Sequence, residues 1–488
     1  MRRSSVPLLV LGLAAAGCSM APRYQRPAAP VAAAYPASPP APATAPVAAD
    51  LGWRDVFGDP RLQALVALAL EQNRDLRVAA LNVELVQAQY RIQRAQRLPQ
   101  VGASGVATIM RTPGDLTTSG VASTSEAWAV GVGLAGFELD FFGRVKSLSD
   151  AALEQFLSTE EARRSAQLSL VASVANQYLA GRALEELVAL TRETLDSVEA
   201  ALKLMRRAFE AGRVSELDLR SAEAQVATAR FNLAAAELQR VRAENALALL
   251  LGGPVPSDLP PPLPLDGSQV VAGLQAGIPS EVLVRRPDVL AAEHALRSAN
   301  ATIGAARAAF FPSISLTAFD GTASASLTGL FQAGSLNWSF VPRINIPIFQ
   351  GGALHASLDA AEVRKSMEVA RYERAIQGAF REVADALAAQ GWIDAQLEAQ
   401  AARVAAESRR YQLSERRYRG GVDSYLNVLT AQRDLFTASL QLIQTRLARL
   451  TNLVDLYKAL GGGWRERSAE APAGAGPPAS PAGGPTGS

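Results

Sequence analysis

Cysteine, histidine and methionine are scarce in this chain: of 488 residues, one is Cys, two are His and five are Met. A single Cys excludes an intramolecular disulfide framework and any cysteine-built metal cluster. His294 and His355 stand apart from each other, so no metal site is expected. Nor does one sign of charge dominate. The 48 Lys+Arg and 46 Asp+Glu leave a formal net charge of +2, which excludes the basic excess of a generic nucleic-acid binder. Runs of about 18 or more apolar residues are missing, so no transmembrane helix is expected and any spanning structure must be β. No P-loop, HExxH or GxSxG occurs. The GxGxxG at 131–136 does not open a helix after a strand and is no dinucleotide site. An enzyme is therefore not expected, nor a cofactor. What the chain does have is 49% hydrophobic residues, spread along very long stretches without Pro.

The N-terminus reads as a targeting segment over 1–17. Arg2 and Arg3 precede a short apolar run from Val6 to Ala16 that leads to Ala15-Ala16-Gly17-Cys18, which resembles a bacterial lipobox despite Ala15 in the usual Leu position. Cys18 would carry S-diacylglycerol and an N-acyl chain, enough for stable anchoring. Ser19 after the Cys resembles lipoproteins sorted to the outer membrane. Residues 18–50 are Pro- and Ala-rich, an extended tether. Residues 465–488 are Ala, Gly, Pro and Ser, a disordered tail.

The body between them is a tandem repeat, 51–265 and 266–464. Shifted by 209, Gly212 meets Gly421, Ser215 meets Ser424, Leu217 meets Leu426, and Leu251-Gly252-Gly253 meets Leu460-Gly461-Gly462. Near the start of each half the shift is 213, and Asp75 meets Asp288, Arg94 meets Arg307 and Pro99 meets Pro312. A period this long is a duplicated half, not a solenoid repeat.

Each half reads as helix, β-hairpin, very long helix, helix. In the first, Asp59-Pro60 is an N-cap followed by Pro at the first helical position, and the helix is expected to run to Leu98-Pro99. Hairpins are expected at about 100–139 and 312–348. In the second, Ile314, Leu316 and Ala318 alternate with Ser313, Ser315 and Thr317, and Trp338, Phe340, Ile344 and Ile346 alternate with Asn337, Ser339, Arg343 and Asn345, a period of two. Trp128 and Trp338 are girdle residues or equatorial core. Pro342 within a strand predicts an interrupted ladder or a bulge there. The long helices are expected at 144–211 and 353–419, each followed by a returning helix, 214–250 and 423–460. The helix of the second half that precedes its hairpin is expected at 288–310. Leu195, Val198, Leu202, Met205 and Phe209 are spaced as a coiled-coil seam. A helix of about 67 residues is on the order of 100 Å long, deeper than any globular core.

Strands of this length cross a bilayer when tilted, but four cannot close, and an open sheet cannot sit in lipid. Two copies would give eight strands, an interior that side chains fill in most such barrels, and three would give twelve, wide enough for a lumen. The fold class expected is a mixed α+β membrane protein, a trimeric 12-stranded β-barrel with four strands per chain, continuing into a long α-helical periplasmic barrel. The alternative is a lipid-anchored periplasmic coiled-coil scaffold without a pore.

Seven stretches, in order, carry a resemblance: Trp53 to Leu76, Phe137 to Lys146, Ile278 to Ala292, Ile303 to Leu316, Ile346 to Ala353, Tyr418 to Arg433 and Leu456 to Trp464. Together they resemble the outer-membrane efflux channels of the TolC-like family, in the lipidated branch paired with resistance-nodulation-division pumps. The resemblance implies a homotrimer in the bacterial outer membrane. It also implies two partners, a periplasmic adaptor (membrane fusion protein) and an inner-membrane resistance-nodulation-division transporter, with passive export of drugs or other toxic small molecules.

Two sets of candidate site residues follow. Gly212, Val214, Ser215, Gly421, Val422 and Ser424 form the turns between long and returning helices. The resemblance assigns them to adaptor contact, while Gly alone would serve the turn itself. The halves differ where Asp423 aligns with Val214 and Tyr411 with Leu202. In a trimer Asp423 becomes a ring of three carboxylates, a device that selects cations or latches a pore. The resemblance implies that this helix pair closes the periplasmic mouth, which makes Tyr411, Tyr418 and Asp423 the candidate periplasmic gate. A solvated Asp beside core tyrosines is the competing reading.

Overall fold

A computed structural model of the chain describes residues 19–35, 50–265, 267, 270 and 285–468. The helices are α1 (Trp53–Val56), α2 (Pro60–Gln72), α3 (Arg74–Ala95), α4 (Arg144–Glu210), α5 (Glu216–Leu251), α6 (Pro287–Ala308), α7 (Ala353–Arg419) and α8 (Tyr425–Ala459). The strands are β1 (Val101–Thr112), β2 (Ser123–Leu139), β3 (Ser313–Ser324) and β4 (Leu336–Asn345). The chain divides into two compact units. The first comprises Met1–Pro30, Ala79–Arg163 and Pro287–Gln377. The second comprises Val31–Val78, Arg164–Arg286 and Gly378–Ser488.

Unit 1 holds the sheet. Its four strands are antiparallel in the order β1-β2-β3-β4, so β1 and β4 each pair on one side only within the chain. Register sorts the side chains. Val101 pairs with Leu134, Leu134 with Ala318, and Ala318 with Phe340. Cross-strand partners share a face, so Ile314, Leu316, Phe340 and Ile344 belong to one apolar face with Val130, Val132 and Leu134. Ser313, Ser315, Arg343 and Asn345 lie on the other. Trp128 and Trp338 belong to the apolar face too, paired with Ser324 and Asp320. They are sheet residues, and the equatorial-core alternative is excluded.

The bulge is not at Pro342. Leu316 pairs with Pro342 in an unbroken β3–β4 register, so the proline leaves the pairing with β3 intact. The irregularity lies in β2 between Leu134 and Phe137, with Gly136 at φ +62. One extra residue reverses parity. Phe137 and Leu139 thereby join the apolar face opposite Leu316 and Ile314, and Glu138 is turned away from it. There Arg144 donates Nε–H to its carboxylate at 2.9 Å.

The GxGxxG residues have a structural use. A Cβ on Gly131 would lie 2.7 Å from the Phe319 ring and 2.5 Å from the Asp320 carbonyl oxygen. Gly131 and Gly133 are thus the bare floor under Phe319, and Gly136 forms the bulge.

The segment after Ser19, read as a tether, is docked along α6. Asn300 donates to the Pro22 carbonyl at 2.8 Å. Arg26 grips Glu293 through Nε and Nη2 at 3.0 and 2.6 Å, Arg297 adds a bond at 2.8 Å, and the Tyr24 hydroxyl donates at 3.2 Å. The Glu293 side chain is only 4% exposed. Burial works to raise its pKa, but the hydrogen bonds and charges of Arg26 and Arg297 outweigh it and hold the carboxyl below its ordinary 4.5. This clip therefore contributes fully above pH 4.5 and is lost as pH falls through the depressed value. Glu293→Ala is expected to cost about 3 kcal/mol, the low end for breaking a buried pair because Arg26 is half exposed. Limited trypsin digestion checks it: cleavage after Arg23 should accelerate in the variant at neutral pH, and an unchanged rate would refute the clip.

Unit 2 holds the main apolar core, built from Trp53, Phe57, Leu62, Leu179, Leu251, Val383, Val454 and Tyr457 among others. The single helix expected from Pro60 to Leu98 is instead two, α2 and α3. Asn73 ends α2 in an extended conformation (ψ 130), accepts the Leu76 N–H on its side chain and donates to the Leu250 carbonyl. Local capping beats helix continuation here. The cap at the other end of α2 matches its sequence reading. Asp59 accepts from the Arg61 N–H at 2.8 Å and from the Tyr178 hydroxyl at 2.6 Å. Arg286, buried, donates to the Ala459 carbonyl at the end of α8 and pairs with Glu382.

Residues 465–468, read as the start of a disordered tail, are bound. Trp53 N–H and Arg54 N–H donate to the carbonyls of Arg465 and Glu466 at 3.0 and 3.1 Å, and the Ser468 N–H reaches Asp55 at 2.7 Å. A Cβ on Gly52 would meet the Arg467 backbone at 2.3 Å, so the fit requires glycine.

Candidate functional site at the helix turns

The two long-helix turns of unit 2 repeat one backbone geometry. Gly212 N–H bonds Phe209 O and Arg213 N–H bonds Ala208 O, each at 2.8 Å. Gly421 N–H bonds Tyr418 O and Val422 N–H bonds Arg417 O, at 2.9 and 3.0 Å. Both glycines are left-handed, φ +69 and +71, which is the Schellman arrangement that closes a helix. A Cβ on either would meet no neighbouring atom. Within the chain, then, backbone conformation rather than packing demands glycine.

The halves differ in how they start the next helix. Ser215 caps α5 in a reciprocal box with Asp218. Ser424 occupies the same place before α8, but its side chain makes no cap bond. Val214 packs against an apolar cluster, whereas Val422 is exposed. That cluster joins all four long helices: Val198, Leu202 and Met205 of α4, Leu219, Ala222 and Val226 of α5, and Tyr425 and Val428 of α8, with Tyr411 and Tyr418 of α7 packed on it. Three of the five residues of the expected seam are in its buried centre.

Of the candidate gate residues, Tyr411 and Tyr418 share this cluster and Asp423 does not. Tyr418 stacks obliquely on Tyr425 at 5.3 Å and directs its hydroxyl to Met205 Sδ at 3.8 Å. The Tyr411 and Ser197 hydroxyls are 3.5 Å apart. Burial raises the Tyr418 pKa, with Asp218 adding to it, and pushes Tyr425 up to about 12. These phenols stay neutral hydrogen-bond donors at physiological pH. Asp423 stands apart from them in an ion pair with Arg417, Nε to Oδ2 at 2.6 Å and Nη2 to Oδ1 at 3.3 Å. The hydrogen bond from Arg417 lowers the Asp423 pKa despite a small opposing effect of burial, and raises that of Arg417.

Comparison of the two halves singles out Asp423 but not its partner Arg417. The available signal was the Gly-Gly turn, which brings a side chain at position i back against one at i+6. Further along, Arg410 links Glu407 and Asp434 at 2.9 Å each. His294 meets Glu154 at 2.6 Å, and among the described residues no group of His, Cys, Asp and Glu is placed to hold a metal. Cys18 lies outside the described residues.

A four-stranded sheet with one apolar face, joined to helices of 67 residues, is the protomer of an outer-membrane channel of mixed α+β class, a β-barrel continuing into a helical barrel. The chain belongs to the outer membrane efflux protein family, whose model matches residues 65–253 and 278–462. It is 48% identical over 476 residues to the "Toluene efflux pump outer membrane protein TtgC" of Pseudomonas putida, covering 96% of this chain and 98% of that one. It is equally similar to the "Antibiotic efflux pump outer membrane protein ArpC" of the same species, with the same coverage. Among solved structures, the open-state MtrE outer membrane channel of Neisseria gonorrhoeae matches at 41% identity and a TM-score of 0.85, over 93% of this chain and 100% of that chain. The protein is thus the outer-membrane channel component of an efflux pump, in a family of transport proteins.

Proposed function

We propose that three copies close the sheet and form the exit duct of a tripartite pump, which passively conducts apolar drugs and solvents out of the periplasm. The observation that carries this reading is the sheet itself: four strands with unpaired outer edges on β1 and β4 and one apolar face. Such a sheet is not viable in lipid alone, and pairing β4 of one copy with β1 of the next removes every edge. The names of the toluene and antibiotic pumps among its relatives favour apolar cargo. A periplasmic adaptor engages the two helix turns, on Gly212, Val214, Ser215, Gly421, Val422 and Ser424, and an inner-membrane resistance-nodulation-division transporter supplies the energy. Cys18 carries the N-acyl and S-diacylglycerol chains that anchor the protein to the outer membrane. Tyr411, Tyr418 and Asp423, with Arg417, form the periplasmic gate.

Purified protein in planar bilayers is expected to give stepwise conductance and to run as heat-modifiable trimers. Deletion of the gene should lower inhibitory concentrations for apolar antibiotics and toluene. A silent monomer, or unchanged susceptibility across the panel, would overturn the reading.

A further inference from the structure

The four strands hold five charged side chains: Arg111, Glu126, Glu138, Asp320 and Arg343. Register divides them between the two faces of the sheet. Arg111 pairs with Thr124, Glu126 with Ile109 and Asp320 with Val132, which places these three on the apolar face. Glu138 and Arg343 are on the polar face, and they share one cross-strand row: Glu138 pairs with Ser315, and Ser315 with Arg343. Glu138 reaches that face only because the β2 bulge reverses parity.

The two charges of the row differ in what holds them. Arg144 satisfies the Glu138 carboxylate through Nε at 2.9 Å and through Nη2, a bidentate pair with no net charge. Arg343 is exposed and has no ion-pair partner among the described residues. Two strand spacings, about 10 Å, separate it from Glu138. Its polar-face neighbours along β4, Val341 and Asn345, carry no charge. Past the end of β2, Asp140 is tied to the start of α4 by accepting the Lys146 N–H at 2.7 Å. In the closed barrel β4 meets β1 of the next copy. The polar face of β1 is every second residue from Gly102 to Thr112, and none of these is charged. The neighbouring strand therefore offers Arg343 no acid in any register.

We propose that Arg343 of three copies forms the charge filter of the barrel, a ring of unpaired positive charge that favours organic acids and other anions over cations of the same size. This rests on the channel reading, in which the apolar face meets lipid and the polar face lines the lumen. Rings of Arg or Lys select anions in other pores. A guanidinium stays protonated at every physiological pH, so the ring does not switch off. Twelve strands about 4.8 Å apart and tilted by about 40° enclose a barrel about 12 Å in radius. A side chain reaching inward from that wall brings the axis within the screening length of ~8 Å at physiological salt, so every path through the lumen crosses the field of the ring. At the helix turns Asp423 and Arg417 cancel each other and add no standing preference of their own.

Reversal potentials of the full chain in planar bilayers, recorded under a potassium chloride gradient, test the filter. The parent is expected to pass chloride several-fold better than potassium. Arg343→Gln should bring the two close to parity, Arg343→Lys should keep the preference, and Arg343→Glu should invert it. Ser315→Glu leaves Arg343 in place, sets a carboxylate directly across from it, and should cancel the preference as Arg343→Gln does. Arg111→Gln, on the apolar face, should match the parent. A conducting Arg343→Gln or Ser315→Glu channel with the parent's selectivity would overturn the filter and leave the channel standing, and so would a parent that prefers potassium. A parent that does not conduct would defeat the channel reading itself.

Discussion

Replacing Gly321 by Val is expected to abolish heat-modifiable trimers while leaving helix content nearly intact. Gly321 pairs with Gly131 across β2–β3. A Cβ at 321 would lie 2.2 Å from the Val130 carbonyl oxygen and 2.6 Å from the Gly131 Cα. These are backbone atoms of the partner strand, so no rotamer change relieves the clash and the two strands must part. In water a parted ladder rehydrates, but in a bilayer every released N–H and C=O costs several kcal/mol. A local clash therefore becomes failure of the whole barrel. Gly102→Ala is the control, since a Cβ there meets nothing within 4 Å, and it should assemble like the parent. Circular dichroism and unheated gel mobility check both. Trimers in the Gly321 variant would show that β2 and β3 do not approach as closely as described.

The same pair of strands shows what a sequence conveys and what it conceals. Alternation along β4 exposed its apolar face directly, because side-chain direction has period two. The bulge in β2 was not legible. Reading straight through residues 134–139 leaves Gly136 and Glu138 in phase with Leu134, and only pairing against β3 shows that one residue is left over. Pro342 misled for the complementary reason. Its missing N–H matters only if a partner carbonyl faces it, and strand order decides that. Gly and Pro punctuation made α4 and α7 legible over 67 residues each. Asn73, by contrast, ends α2 through long-range bonding to Leu250, which no local pattern announces. At the helix turns, repeat comparison found Asp423 and Tyr411 because they differ from their counterparts. It passed over Arg417, whose role depends on the turn folding back.

Asp423→Ala is expected to raise resting conductance several-fold, and Arg417→Ala to do likewise, but with opposite ion preference. Asp423 and Arg417 neutralise each other within one chain, so three copies present three ion pairs rather than three bare carboxylates. Removing the acid leaves three guanidinium groups and shifts selectivity toward anions. Removing the base leaves the carboxylate ring and shifts it toward cations. Arg417 is exposed at the turn and Asp423 partly so, so the selectivity shifts should fade between 0.1 M and 1 M salt as the screening length falls from about 10 Å to about 3 Å. The sign of the pH effect follows from Asp423. Its pKa is lowered below 3.8 by the hydrogen bond from Arg417, so the pair holds through the ordinary carboxylate range and opens only in stronger acid. A parent channel whose resting conductance climbs between pH 6 and 5 (roughly one unit above the range of free carboxylates) would place the latch elsewhere. Because the two residues act as one unit, the double variant should conduct about as much as either single one. Additive increases would mean that each contacts a separate partner across the pore, and an unchanged resting conductance in Asp423→Ala would remove the pair from the gate.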